Sequence, residues 1–381
     1  MKGRQPTQRR AAVKHLRSAI VSGHYGAGNR IPTRKELCDS MNISTITLQD
    51  ALDQLTGEGF IVSRNRQGTF VSDTPPHLSC YAVVFWSNPR LPGEHLLYPR
   101  TLATAARILK QVNGHNIEEF YGIDQHADSE DYKRLLDLVV THRVAGVVFA
   151  NNPGPITQTD FMKHVDVPMV ALTAGGAWSF PHSITVGLDA KVWQIKAVEH
   201  LEAQGRQRVA VVGLGGDEGV QGVLLEQLAA RGMFSPPQWH QVATPFRGNS
   251  ARGIVHLLFS LPKKLRPDAL LITDDNLVEE AADGLLAAGM RVPKDVEVVA
   301  HANFPLESPA SLPMHRLGFD LVASLQASFD LIHRRRAGEE TVSLARIEPI
   351  WENEMKIFSA DRPFEPAVVM AGAGVMAGGM N

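Results

Sequence analysis

The sequence predicts an α/β protein in two unequal parts. A small basic module of three helices and a hairpin precedes a larger body of strands alternating with helices. Three observations predict this. Apolar positions recur at helical spacing through residues 12–55, then give way to two short apolar runs separated by a turn-rich loop. From about residue 80 to 305, short apolar runs alternate with amphipathic stretches, the pattern of doubly wound parallel sheets. Charge divides at the same place. Residues 1–72 carry 11 Lys/Arg against 5 Asp/Glu, a net +6, whereas the remainder carries 27 against 35, a net −8. A basic module on an acidic body suits a polyanionic partner.

Composition bounds the rest. With 381 residues, 44% of them apolar and 20% charged, the chain has room for two or three domains with real cores. Two cysteines, Cys38 and Cys80, supply neither a disulfide scaffold nor a four-cysteine zinc site. The 15 histidines show no metal-ligand spacing, so neither a metal nor a cofactor is expected. No apolar run reaches the roughly 18 residues a membrane helix needs, and the basic N-terminus lacks a signal-type apolar stretch. The expectation is a cytoplasmic, soluble protein.

Residues 1–10 are polar and basic and are expected to form a mobile arm. Val13, Leu16, Ala19 and Ile20 mark a first helix, stopped at Gly23. Thr33 with Glu36 three residues on is a capping-box pattern for a second helix, which Asn42 ends. Ser44 caps a third, with Ile46, Leu48, Ala51, Leu52 and Leu55 as its apolar positions. Residues 60–62 and 69–71 read as strands around a loop bearing Arg64 and Arg66. This order is that of a winged helix-turn-helix, whose third helix enters the major groove while the hairpin touches flanking backbone.

Residues 12–72 resemble the GntR-family DNA-binding domain. The resemblance is carried by Gly23, Gly28, Arg30-Ile31-Pro32-Thr33, Glu36-Leu37, Ile43-Ser44, Thr47, Ala51-Leu52, Leu55, Glu58-Gly59-Phe60-Ile61 and Gln67-Gly68-Thr69-Phe70-Val71. It implies duplex operator DNA as partner. A winged helix used only for protein contacts is the alternative. Ser44, Thr45, Thr47 and Gln49 lie on the first turns of the third helix, where hydroxyls suit phosphate or base edges and an amide suits adenine. The family commonly has arginine where Thr45 and Gln49 stand, so phosphate binding must lean on Arg34, Lys35, Arg64 and Arg66. Gly68 would let the wing backbone approach closely, and Ser44 can be both N-cap and phosphate contact.

Residues 74–77, Thr-Pro-Pro-His, read as a stiff linker. Beyond it, residues 80–355 resemble the effector-binding domain of LacI/GalR regulators, which is related to periplasmic sugar-binding proteins. The resemblance is clearest at Arg266-Pro267-Asp268-Ala269-Leu270, at Asp275 and over Gly289-Met290-Arg291-Val292-Pro293-Lys294-Asp295-Val296. It implies two lobes joined by three crossings, with the chain returning to the first lobe after about residue 310. The expected division is 1–72 for the winged module, 73–79 for the linker, 80–358 for the two-lobed body and 359–381 for a disordered tail, or an assembly contact.

Ligands of open α/β sheets sit at the carboxyl ends of strands. That selects Trp86, Asn88, Asn151, Asp189, Arg247 and Asp275 as effector-binding candidates. Carboxylates and amides suit sugar hydroxyls, and Trp86 would offer an apolar face. Asp275 matches the family's ligand-binding aspartate, though it and Asp189 could equally cap helices. The family's Gly-Phe-Asp near 300 is replaced by Ala300-His301-Ala302, which weakens a standard sugar site. The run Gly213-Leu214-Gly215-Gly216-Asp217-Glu218-Gly219 follows a strand as a dinucleotide loop does, but Glu218 occupies the third glycine position and would repel a pyrophosphate. The reading is a ligand-responsive transcriptional regulator, a dimeric repressor rather than an enzyme, answering to a small molecule such as a sugar. An NAD-dependent oxidoreductase and a small-molecule carrier are the rivals.

Overall fold

In a computed structural model of the chain, the described residues are 4–89, 91, 96–112, 115–123, 129–151, 153–163, 166–173, 183–214, 218–245, 249–306, 309–355 and 368–370. Helix α1 spans Arg4–Val21. It takes in most of the expected mobile arm, because Pro6 falls in its first turn, where a missing N–H costs nothing. Helix α2 (Arg34–Met41) starts on the expected capping box, with Thr33 N–H donating to Glu36 Oε2 at 2.7 Å, and ends on Asn42 in the left-handed conformation at φ 51°. Helix α3 (Thr45–Gly57) starts on Ser44, whose hydroxyl accepts from Thr47 N–H. Strands β1 (Ile61–Arg64) and β2 (Gly68–Val71) pair antiparallel, Arg64 opposite Gly68. Leu16, Leu48, Leu55 and Phe60 are fully buried at the centre of this module.

The expected linker is not a free tether. Pro76–Ser79 form one helical turn, α4, with Pro76 at its first position. His77 is 3% exposed and stacks on Phe60 with ring centroids 5.8 Å apart. Burial first, then the positive charges of Arg336 and His142, push its pKa from 6.5 to about 4. The turn therefore seats the winged module against the body.

The body opens with β3 (Cys80–Val84), α5 (Leu97–Val112), β4 (Asn116–Phe120), α6 (Glu130–Val140), β5 (Gly146–Phe149), β6 (Met169–Thr173) and β7 (Ser183–Leu188). Then come α7 (Ala190–Ala203), β8 (Val209–Gly213), α8 (Glu218–Ala230), β9 (His240–Val242), α9 (Ser250–Phe259), β10 (Ala269–Ile272), α10 (Val278–Ala287), β11 (Glu297–Phe304) and β12 (His315–Asp320). The chain finishes with α11 (Leu321–Arg336), β13 (Leu344–Ile347), β14 (Ile350–Trp351) and β15 (Val368–Met370).

These strands form two sheets, in the orders β15-β13-β7-β6-β5-β3-β4 and β14-β12-β11-β10-β8-β9. Pairings are parallel except β13 with β15 and β12 with β14. By strand membership the chain changes lobe four times, after β7, after β12, after β13 and, to reach β15, after β14, one more than the three expected. The return falls at Leu321 rather than near residue 310, because β12 still extends the second sheet beside β11. Asp189 and Asp320 cap the helices that begin at the first two crossings. Helix α11 then lies close on the first sheet. A Cβ at Gly146 would come within 2.7 Å of Ile332, so only glycine permits that approach. The expected disordered tail differs at three residues, since Val368–Met370 pair with β13. No helix among the described residues is long and apolar enough to cross a membrane.

Candidate functional site

Two surfaces have the chemistry for recognition. The first is the outer face of α3 with the wing. Ser44 and Thr45 are exposed, as are Arg34 and Lys35 on α2. Thr47 is not available: it is 3% exposed, its hydroxyl lies 2.9 Å from Ser44 Oγ, and it serves the cap rather than the surface. Gln49 is half-buried and donates from Nε2 to Asp53 Oδ1 at 2.7 Å. That bond takes one of the two Nε2 hydrogens and sets the rotamer, so the second hydrogen and the carbonyl remain for the grip on adenine expected of Gln49. Ile46, a core position by its sequence pattern, is 70% exposed. The helical period sends Leu48, Ala51, Leu52 and Leu55 inward and turns Ile46 out. An apolar side chain there suits a thymine methyl.

In the wing, Arg66 adopts φ 61° and Gly68 φ 117°, which turn the hairpin. A Cβ at Gly68 would meet Arg30 Nε at 2.7 Å, so this glycine accommodates the Arg30 guanidinium from the adjoining loop. Arg64 stacks over Phe70, 4.6 Å from the ring centre, and pairs loosely with Asp73 at 3.4 Å.

The second surface is a cleft of about 460 Å³ at the carboxyl ends of both sheets, within the usual range of small-molecule pockets. Leu172 and Thr173 of β6, Leu188 of β7, Thr273-Asp274-Asp275-Asn276 after β10, His301 and Asn303 of β11 and Phe319 of β12 line it. Tyr98, Asn151, Trp193 and Gln194 complete its walls. Among the described residues the lining holds no Lys or Arg.

Asp275 is 4% exposed. The helical cap is Asp274, whose carboxylate accepts from Asn276 N–H. Asp275 instead accepts from Asn303 Nδ2 at 2.7 Å and from Asn276 Nδ2 at 3.3 Å. Burial raises its pKa, with His301 opposing the shift. Asn276 Oδ1 accepts from Leu97 N–H at 2.8 Å, so one hydrogen-bonded path runs from the first turn of α5 in the first lobe to Asp275 in the second. His301 Nδ1 and Asn303 Oδ1 are buried with no hydrogen-bond partner among the described residues, so they are groups a ligand could satisfy. The departure at His301 thus supplies the cleft with a polar group.

The other candidates fall differently. Asn151 lines the cleft. Asp189 does not: it caps α7 and lies 3.8 Å from Arg346. Trp86 and Asn88 are not among the lining residues. Phe85 is buried, whereas Trp86 lies in the bend past the end of β3 and is 48% exposed. Tyr98, Trp193 and Phe319 supply the aromatic surface instead. Arg247 lies outside the described residues, as do residues 215–217 of the candidate dinucleotide loop.

Comparison with known proteins bears on both parts of the chain. The pattern of bacterial regulatory proteins of the gntR family matches residues 8–71, and that of the periplasmic binding protein-like domain matches residues 198–343. This chain joins a gntR-type DNA-binding domain to a periplasmic-binding-protein-like domain. Over 303 residues it is 22% identical to the arabinose metabolism transcriptional repressor of Halalkalibacterium halodurans, covering 76% of this chain and 78% of that protein. The gntR-type module alone is 40% identical over 58 residues to a probable fructoselysine utilization operon transcriptional repressor of Escherichia coli, covering 15% of this chain and 24% of that one. The body shares its fold with a LacI family regulator from Lactobacillus casei solved with bound glucose, at TM-score 0.52 and 19% identity, covering 72% of this chain and 98% of that one. A LacI family regulatory protein from Chloroflexus aggregans gives TM-score 0.56 at 17% identity, covering 71% and 96%. These relatives are regulators, which disfavours the oxidoreductase reading.

Proposed function

We propose that the chain is a transcriptional repressor whose operator affinity is set by a small neutral hydroxylated molecule, a sugar or sugar derivative, held between the lobes. One observation carries this reading. The cleft around Asp275 spans both lobes through Asn276 and Leu97, and the gntR-type module is seated on the same body through His77. Ligand bound there favours whichever lobe arrangement it fits better, by its differential affinity. Asp275, Asn303, His301 and Asn151 are its contacts. Arg34, Lys35, Arg64 and Arg66 hold phosphates, while Ile46 and Gln49 face base edges. A homodimer, reading two half-sites about one helical turn apart, follows from operator geometry. The names of the arabinose and fructoselysine repressors support a carbohydrate effector. The described lining of the cleft holds no Lys or Arg, which supports a neutral one over a sugar phosphate.

The test is fluorescence anisotropy with a DNA sequence selected from a random pool by the full chain. Addition of neutral pentoses, hexoses and disaccharides should identify one that shifts affinity about 5–150-fold, the range of a coupling of about 1–3 kcal/mol. Failure to select any preferred DNA would overturn the regulator reading. Selection without any sugar response would overturn the effector class.

A further inference from the structure

At the rim opposite the cleft, where β11 and β12 begin, three side chains converge from three elements. Glu297 is the first residue of β11, His315 the first of β12, and His200 stands in the last turn of α7. We infer that His200, Glu297 and His315 bind a divalent transition-metal ion of the zinc type. Their ligand atoms all lie within 4.8 Å of one another. Glu297 Oε1 lies 3.0 Å from His315 Nε2 and 3.6 Å from His200 Nε2. Zinc sits about 2.0–2.2 Å from nitrogen and oxygen ligands, so atoms sharing one ion stand about 3.0–3.5 Å apart. The cluster is already near that spacing.

The second observation concerns burial. Glu297 is 2% exposed, yet its Oε1 has no hydrogen-bond partner among the described residues, and neither has His200 Nε2. The His315 and His200 ring nitrogens at 3.0 and 3.6 Å make no well-aligned hydrogen bond to this oxygen, and a buried carboxylate so placed is costly unless a cation satisfies it. The other oxygen, Oε2, faces Arg206 Nη2 at 3.4 Å, and that nitrogen also donates to Pro293 O at 2.6 Å. Arg206 therefore orients the carboxylate from behind, as outer partners of metal ligands do. Two imidazoles and one carboxylate suit zinc, cobalt or nickel better than magnesium or calcium. His315 is the exposed member, and the space in front of it is bounded by Trp351, Glu352 and Glu354. Three protein ligands with an open side leave room for water as a fourth. The Trp351 ring lies 5.1 Å from that of His200 and 6.4 Å from that of His315, close enough to report occupancy. Sequence spacing conceals the group because its members come from separate elements brought together by the second sheet.

The full chain, freed of metal with chelator, is titrated with ZnCl₂ by calorimetry while tryptophan emission is followed. A single saturable site with an emission change is expected, with NiCl₂ also bound and MgCl₂ not. Loss of even an outer partner lowers metal affinity about 10–100-fold, so His315→Ala should weaken zinc binding by at least about 100-fold. Its exposure makes it a safe substitution for folding, whereas buried Glu297→Gln serves as the second variant once its melt shows a folded chain. Trp351→Phe should abolish the emission change and leave the calorimetric site intact. Absence of saturable zinc binding, or equal affinity in wild type and His315→Ala, would overturn the site and leave a simple His315–Glu297 charge pair.

Discussion

At the start of α3 and on the wing the polar side chains that face outward stand in water; in the cleft they stand largely out of it. Ser44, Thr45 and the wing arginines Arg64 and Arg66 are exposed and come from two short stretches of chain. The polar groups at Asp275 and Asn303 are at least nine-tenths buried and come from separate strand ends of the second sheet. The difference is energetic. Removing an exposed group forfeits only its own interaction with a partner. Removing a buried one also leaves its neighbours unsatisfied, at about 1–3 kcal/mol each. Substitutions on α3 should therefore separate binding from stability, and substitutions in the cleft should couple them.

Asp275→Ala is the severest test of that contrast. It strips Asn303 Nδ2 of its acceptor and breaks the path through Asn276 to Leu97. A hydrogen bond to a charged group contributes about 1.5–3 kcal/mol, so calorimetry should show effector affinity falling at least about tenfold. The melting temperature should fall as well, while DNA binding without effector stays near wild type. Full effector affinity in this variant would remove Asp275 from the site.

The seat between the two regions supplies the next test. His77 is buried against Phe60, with Arg336 and His142 as its charged neighbours, and its folded pKa is depressed from 6.5 to about 4. The unfolded or undocked state binds the proton more readily, so His77 contributes stability above pH 6.5 that is lost as pH falls toward 4. His142 is shifted in the same direction, chiefly by burial, and shares the effect. Limited proteolysis between residues 72 and 80 should accelerate across that window. His77→Phe keeps an aromatic ring beside Phe60 and carries no proton, so it should flatten part of the dependence. An unchanged profile would mean that the seat is not the acid-labile joint.

How far each region is legible in the sequence follows from the same contrast. The winged module is local: Thr33 with Glu36, Ser44 and Asn42 state its helix ends within a few residues of chain, and all of them act as expected. The alternation of strands and helices likewise announces the two sheets. The cleft lining is non-local. Asp274 and Asp275 are adjacent, and only the geometry after β10 decides that the first caps and the second faces Asn303. Trp86 continues the apolar run of β3 in the sequence, yet it falls in the bend past the strand, where the run no longer decides its burial. His301 looks like a loss in the sequence because its unsatisfied Nδ1 becomes visible only beside Asp275 and Asn303.

The wing offers a middle-sized effect. Replacing Arg64 and Arg66 together by Ala should weaken all DNA sequences alike. Each phosphate no longer neutralised should reduce the slope of log affinity against log salt by about 0.9. Arg64 is partly engaged by Phe70 and Asp73, so its share should be smaller than that of Arg66. Binding titrations over a salt series measure this, and an unaltered slope would take the wing off the phosphates.

The smallest effects should come from the two base-facing positions of α3, where affinity and specificity part. Ile46 is 70% exposed, so Ile46→Ser should leave the melting temperature nearly unchanged. With less apolar surface against the base, at about 0.8 kcal/mol per buried methylene, it should relax preference for thymine at one position by about 1–2 kcal/mol. Gln49 is tethered to Asp53, which takes one of its two amide hydrogens and holds its rotamer away from full freedom to follow a base. Gln49→Ala should therefore cost about 0.5–1.5 kcal/mol of discrimination, the net value of a single hydrogen bond, rather than the larger value of a bidentate one. Asp53→Ala frees the amide, and a gain in adenine preference in that variant would show that the tether, not the position of Gln49 on α3, limits its readout. Selection of bound sequences by each variant decides between these outcomes. An Ile46→Ser variant with unchanged preference would turn that face of α3 away from the groove.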